Sequence, residues 1–227
     1  ISTVISNNSA NGFPLLFYKN KQNVTINNVN AGQIIFANCS YSTINHSVIT
    51  NGDQGITLGY SDFNHISNNT LFQNQRGLRL QYSMNNTVSN NVFEQNSYGL
   101  FITHSFDNEI IQNNMVKNTE YGCYICCNSN RNILTRNNFT LNNKSAYDIF
   151  DNIWHVKGIG NYWSDYAGVD SNNDGIGDTP YEILPFYADN KDSYPIVDYA
   201  KIQSESSLSS QESPSISLIL ICIALIF

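Results

Sequence analysis

Apolar residues along this chain alternate with polar ones in short runs and do not recur at helical spacing. Leu78-Arg79-Leu80 and Leu100-Phe101-Ile102 put every second side chain on one face, the period of a β-strand. Turn-forming Asn and Ser punctuate each run. The runs belong to a repeat: GITLGYSDFNHISNNTLFQNQR (55–76), GLRLQYSMNNTVSNNVFEQNSY (77–98) and GLFITHSFDNEIIQNNMVKNTEY (99–121). Each copy opens on Gly and places Leu58, Leu80 or Ile102 three residues on, Ser61, Ser83 or Ser105 six on, and Asn64, Asn86 or Asn108 nine on. A period of about 22 residues marks a repeat architecture. Leucine-rich repeats share the length, but they need a dense leucine frame and a helical or extended return that the Asn-rich second half does not offer. The pattern predicts an all-β parallel β-helix solenoid, about 22 residues and three short strands per coil.

Leading glycines at Gly12, Gly32, Gly55, Gly77, Gly99 and Gly122 divide the chain into about six coils, a stack about 29 Å tall at a strand spacing of about 4.8 Å. An incomplete coil follows Ser145, and one-residue insertions, as at Ile110-Ile111, are expected to bulge at corners. Ile56 and Leu58, Leu78 and Leu80, Leu100 and Ile102, Cys123 and Ile125 should point inward, with Ile66, Leu71, Val88, Phe93, Ile133 and Phe139. The residues between them should point out: Ile34 and Phe36, Thr57 and Gly59, Arg79 and Gln81, Phe101 and Thr103, Tyr124 and Cys126. A ladder mixing rings with amides and hydroxyls suits the apolar face and hydroxyls of a sugar, so Phe36, Arg79, Gln81, Phe101 and Tyr124 are the candidate glycan contacts. Lone exposed aromatics on a β-surface are otherwise ordinary.

Composition narrows the partners. The chain has 36 asparagines among 227 residues, which a solenoid can stack coil on coil at its turns. A net charge of −7 and a pI near 4.9 argue against nucleic acid or an anionic membrane surface. Residues 1–159 read as coils and 160–198 as a C-terminal cap. A Ser-rich linker (199–215) follows, then the apolar run ISLILICIALIF (216–227). Twelve residues are fewer than the roughly 20 that span a bilayer, so this run reads as a truncated membrane anchor. The opening at Ile1 without Met reads as a fragment of an extracellular or periplasmic protein. Sequons at Asn7, Asn23, Asn38, Asn45, Asn68, Asn85, Asn138 and Asn143 permit glycosylation. Cys39 should lie four coils, about 19 Å, from Cys126 and Cys127, beyond the roughly 7 Å reach of a disulfide.

Three kinds of chemistry can be tested on the residues. Asp170, Asn172, Asp174 and Asp178 place side-chain oxygens around Gly175, with the backbone carbonyl near Ile176 filling a gap; hard cations such as Ca²⁺ require such a converging oxygen set. The twelfth position, a bidentate Glu in an EF-hand, is Tyr181 here, which relates the loop to dockerin-like and thrombospondin-type repeats. Asp/Asn/Gly turns that bind nothing share this look. Soft donors are scattered: His104 and Cys127 share a repeat position, but His46, His65 and His155 do not join them, which argues against copper or zinc. Catalysis on this fold needs carboxylates grouped on one outward sheet, and the coil carboxylates lie mostly in turns, so no catalytic residue is assigned.

The G-x-x-L-x-x-S-x-x-N repeat, GNYWSDYAGVDSNNDGIGDTPYEI (160–183) and DSYPI (192–196) together resemble the NosD-like family of right-handed parallel β-helix proteins with CASH-type repeats, over residues 12–198. The GNYWSDY and DGIGDTPY segments are more specific than the coils. The resemblance implies periplasmic copper binding in nitrous-oxide reductase maturation, yet no copper-ligand motif carries over residue by residue, and the DPHD signature of the similar mannuronan epimerases is absent. Many similar surface proteins carry only the scaffold. The sequence therefore reads as a non-catalytic cell-surface β-helix module, glycan-binding or structural. Its alternatives are a carbohydrate-active enzyme whose catalytic coils lie outside this fragment, or a periplasmic copper-binding maturation protein.

Overall fold

The structure, a computed structural model, describes residues 8–185, 190–199 and 201. The apolar run 216–227 and, apart from Tyr199 and Lys201, the Ser-rich linker lie outside the described residues. The chain winds through about seven coils, each crossing three parallel sheets. The large sheet stacks Phe13–Lys19, Gln33–Ala37, Gln54–Gly59, Arg76–Gln81, Tyr98–Thr103, Tyr121–Cys126 and Lys144–Asp148, with Ser9–Ala10 antiparallel at one edge. The second sheet runs from Asn30–Ala31 to Tyr162–Trp163 and the third from Thr25–Asn27 to Ile133–Thr135.

Coil-to-coil pairing aligns Leu58, Leu80, Ile102 and Ile125 in one column, and Ile56, Leu78, Leu100 and Cys123 in another. All are fully buried, each aliphatic side chain contributing about 1.5–3 kcal/mol by leaving water. The leading glycines are required where the strand passes the corner: a Cβ on Gly77 would sit 2.6 Å from the Gly99 carbonyl oxygen.

Three expectations need correction. Ile34 and Phe36 pair with Ile56 and Leu58 and are fully buried, so Phe36 belongs to the core and is no glycan contact. Gln33, not Gly32, occupies the position of Gly55, and a one-residue shift of register turns every side chain of a strand to the other face. Leu134, not Ile133, is the buried member of its strand, paired with Ile110. Nor is there an insertion at Ile110-Ile111, where Val88 pairs with Ile110 and Phe93 with Met115 at the standard 22-residue offset. Tyr98 pairs with Tyr121, 23 residues on, so the extra residue lies in the turn after Asn118, and another follows Cys126, where Ser105 N bonds Ser129 Oγ.

The abundant asparagine fills three buried ladders: Asn64, Asn86, Asn108, Asn132 and Asn152; Asn69, Asn91, Asn113, Asn137 and Asn161; and Asn74, Asn96, Asn118 and Asn142. Within each, an Oδ1 accepts from the backbone N–H and the Nδ2 of the asparagine one coil earlier; Asn86 Oδ1 takes both from Asn64 at 2.9 and 3.0 Å. The Asn86 Nδ2 in turn donates to the Ser61 carbonyl and to Asn108 Oδ1. An amide is both donor and acceptor, so each asparagine ladder propagates, while Ser61, Ser83, Ser105 and Ser129 form the ladder at the corner after the large sheet.

Two ladders end on an aspartate, an acceptor only. Asn152 Nδ2 donates to Asp148 Oδ1, and Asn161 N donates to Asp192 Oδ2. Each buried carboxylate also accepts an indole N–H, Trp154 to Asp148 and Trp163 to Asp192, both at 2.9 Å. Burial raises both carboxyls above the usual range, against the opposing hydrogen bonds. Trp163 is sandwiched between Phe139 (4.3 Å) and Tyr181 (4.1 Å) and closes the end of the core. A Cβ on Gly160 would overlap the Asp192 carboxylate. GNYW and DSYP are thus the two halves of one lock, which includes the last rung of the second sheet.

Candidate functional site

The outward face of the large sheet carries the candidate site. Pairing aligns Thr57, Arg79, Phe101, Tyr124 and Tyr147 in one column and Gln54, Arg76, Tyr98, Tyr121 and Lys144 in a second. Because alternation breaks at the leading glycine, where Gly77 and Leu78 are both buried, the second column stays on the outer side. A third holds Gly59, Gln81, Thr103 and Cys126. Arg79, Gln81, Phe101 and Tyr124 thus lie together where the sequence puts them, on three adjacent strands. Tyr98, Tyr121, Tyr147, Arg76 and Lys144 join them and were missed. Their signal was legible, because Arg76, Tyr98 and Tyr121 each stand immediately before a leading Gly.

The rings form one patch with two orientations. Phe101 and Tyr124 lie nearly parallel at 5.2 Å, and Tyr124 and Tyr147 at 4.6 Å. Tyr98 stands edge-on to both Phe101 and Tyr124, near parallel to Tyr121. The Arg76 guanidinium lies over the Phe101 ring at 4.7 Å and the Lys144 ammonium over Tyr121 at 5.0 Å, contacts that hold each cation against the rings. At the adjoining corner Tyr60, Tyr82 and His104 stack at 4.8 and 4.5 Å. All three have left-handed backbone, with φ of 52°, 51° and 49°, which costs about 1–2 kcal/mol for each non-glycine residue. Corner bonds such as Tyr60 N to the Gln81 carbonyl offset that cost.

Burial and its neighbours hold the Tyr124 hydroxyl up to about 12, so the ring is neutral at physiological pH. Burial, then repulsion from Arg76, lowers Arg79, with Asp53 opposing. Burial, then a hydrogen bond with Cys127, pushes the Cys126 thiol up to about 12, the direction that disfavours a thiolate.

The Asp/Asn/Gly loop sits apart, in the cap. Asp170 Oδ1 and Oδ2 accept from Asp174 N and Gly175 N, Asp174 Oδ1 from Ile176 N, Asn172 Oδ1 from Asp174 N, and Asp178 Oδ2 from Ser171 N. Those Ser171 bonds hold the exposed Asp178 carboxyl below its usual range. Gly177 N donates to the Pro195 carbonyl and Val197 N to the Gly175 carbonyl, which anchors the loop to residues 195–197.

Residues 1–168 match the family described as periplasmic copper-binding protein (NosD). The chain belongs to the NosD family. A relative named probable ABC transporter binding protein NosD, from Stutzerimonas stutzeri, is 39% identical over 74 residues, and one of the same name from Pseudomonas aeruginosa is 34% identical over 74. The match covers 32% of this chain and only 17% of each relative. In fold, this NosD-family chain is similar to a double mutant of the periplasmic alginate epimerase AlgG, with a TM-score of 0.53 at 17% identity, over 77% of this chain and 38% of that one. The protein is therefore a NosD-family β-helix of the periplasm or cell exterior. Among the described residues no helix is long and apolar enough to cross a membrane.

The described residues do not fit the copper of the family's description. Cys39, Cys123 and Met115 are sealed in the core. Cys126 and Cys127 touch, with sulfurs 2.7 Å apart, but the neighbouring His104 bonds Thr103 Oγ1 through Nδ1 and stacks on Tyr82. Among the described residues no group of three or more His, Cys, Asp or Glu converges on one point.

Proposed function

We propose that this NosD-family chain binds polysaccharide along the outward face of its large sheet. The reading is carried by the continuous ring patch of Tyr98, Phe101, Tyr121, Tyr124 and Tyr147, which the interior packing does not require. Phe101, Tyr124 and Tyr147 have their faces taken by one another and by Arg76 and offer ring edges. The ring faces left for a sugar's apolar side are those of Tyr98 and Tyr121, with Gln81 and the cationic side chains beside them for its hydroxyls. Neighbouring coils repeat at about 4.8 Å, close to the length of one pyranose residue, so successive sugars of a chain lying along the axis meet equivalent positions. Binding, not cleavage, is the chemistry this face supports. Its outward strand residues include no Asp or Glu, and glycoside cleavage ordinarily needs a carboxylate pair.

Affinity electrophoresis through gels containing soluble polysaccharides tests this reading. At least one gel should retard the protein, and Tyr98→Ala with Tyr124→Ala should weaken retardation at least about 10-fold, equivalent to about 1.4 kcal/mol. Migration of the wild type that no polysaccharide alters would sink it.

A further inference from the structure

We propose that the polysaccharide is an anionic one bearing carboxylates, held by Arg76 and Arg79; this rests on the reading of the face as glycan-binding and names the class of its ligand.

The first observation is an inversion of charge. The chain has 18 acidic and 11 basic residues, yet the outward strand positions of the large sheet carry Lys19, Arg76, Arg79 and Lys144 and no carboxylate. Asp148, on the last of these strands, is turned inward and consumed by Trp154, Asn152 and Phe150 N. The nearest carboxylate acting on Arg79 is Asp53, which accepts from Gln54 Nε2.

The second is that neither arginine is ion-paired with a carboxylate among the described residues. Arg79 has no hydrogen bond or ion pair with any described residue, and Arg76 bonds only the Gln75 side chain, through Nη1. Four of the six buried side-chain polar atoms lacking a partner among the described residues lie on this face: Gln54 Oε1, Thr57 Oγ1, Arg76 Nε and Arg79 Nε. Elsewhere Arg131 grips Asp107 with Nε and Nη2 at 2.8 and 2.7 Å, whereas Arg136 Nε, off this face, is also without a partner among the described residues.

Burial first, and then repulsion between two guanidiniums three residues apart on one strand, disfavours the Arg79 charge, with Asp53 opposing. An anion between or above them relieves that repulsion, and guanidinium recognises carboxylate with paired N–H donors. Arg76 sits against the Phe101 and Tyr98 rings, so a sugar packed beside Tyr98 and Tyr121 brings a ring-borne carboxylate to it. Lys144 stands three coils further along, about 14 Å at the coil spacing, which fits a ligand with charges repeated along its length.

Titration of the whole chain with polygalacturonate, with its carboxyl-reduced neutral counterpart and with a sulfated glucan decides this. The polyuronate should bind at least about 10-fold more tightly than the neutral polymer, and its affinity should fall between about 50 mM and about 500 mM salt. Arg76→Gln with Arg79→Gln should bring polyuronate affinity down to the neutral level with an unchanged melting temperature, and Arg131→Gln should not. Equal, salt-independent binding of the neutral polymer would overturn the anionic ligand and leave the polysaccharide reading standing. A preference for the sulfated glucan would overturn the carboxylate assignment, and no binding to any polymer would overturn both readings.

Discussion

Outside, the two shorter sheets and the large sheet are dressed differently over the same coils. The third sheet shows Thr87 and Ser89, Glu109 and Ile111; the second shows Thr70 and Phe72, Val92 and Glu94, Asn114 and Val116. These are short strands whose outward residues are mostly small, β-branched or acidic, with Phe72 a single ring among them. The large sheet over those coils shows Arg76, Arg79, Gln81, Tyr98, Phe101, Tyr121 and Tyr124 on strands of six residues. Inside, every sheet presents an apolar column, aliphatic in the third, mainly aliphatic in the large sheet, and running Leu71, Phe93, Met115 and Phe139 in the second, and asparagine ladders stand at the turns. Folding therefore asks the same of each sheet, and the rings and cations on one exterior answer to something else.

The largest effect should come from the shared interior. Leu80→Asp puts a charge into a fully buried column with no partner, costing about 4 kcal/mol or more. The melting temperature should fall by about 10 °C, and no fall would mean that the columns are misassigned. Asp192→Ala should cost about 2–3 kcal/mol, because the N–H groups of Asn161, Trp163 Nε1 and Tyr194 lose their acceptor. Denaturant unfolding followed by tryptophan fluorescence reads both the cost and a loosened Trp163.

The same carboxylate makes stability depend on pH. Burial raises Asp192, so the folded protein holds this proton more tightly than the unfolded chain does. Its contribution is fully present below the ordinary carboxylate value of about 3.9 and is lost as pH rises through the folded value. Asp192→Asn should gain on the wild type as pH rises over that window; a pH-independent difference contradicts the raised carboxyl.

For the cap loop we propose calcium, which would have to draw Asp170, Asn172, Asp174, the Ile176 carbonyl and Asp178 together, since in this structure the three carboxylates do not converge and accept the loop's own N–H groups. Binding to the folded state adds about 2.7 kcal/mol at a hundredfold excess over Kd. Chelation should lower the melting temperature, and Asp174→Ala should abolish that response; calorimetry without heat at millimolar calcium would remove the metal. The smallest effect on stability, about 1 kcal/mol or less, is expected of Tyr98→Ala. It should weaken glycan retention, whereas Phe72→Ala on the second sheet should not, and equal losses would erase the contrast between the exteriors.

Much of this was legible in the sequence, for a physical reason. A repeat that stacks on itself forces equivalent residues into columns, so Leu58, Leu80, Ile102 and Ile125 were placed by their offset from Gly alone. The same offset misled at Gly32, where the true equivalent of Gly55 is Gln33, and Phe36 went to the wrong face. The two ladder-ending aspartates were not legible, since Asp192 meets Asn161 from 31 residues away and no periodicity reaches outside the repeat. The site was half legible: alternation exposed Arg79, Gln81, Phe101 and Tyr124, while Tyr98 and Tyr121 escaped by lying before the Gly that marked each coil.

The most direct test of the central claim, a glycan face on the large sheet, is a crystal structure of the protein soaked with a galacturonate oligosaccharide. The account predicts sugar density along the coil axis over Tyr98, Phe101, Tyr121 and Tyr124, with a carboxylate within hydrogen-bonding distance of Arg76 or Arg79. Density on the second or third sheet, or at the cap with this face bare, would contradict it.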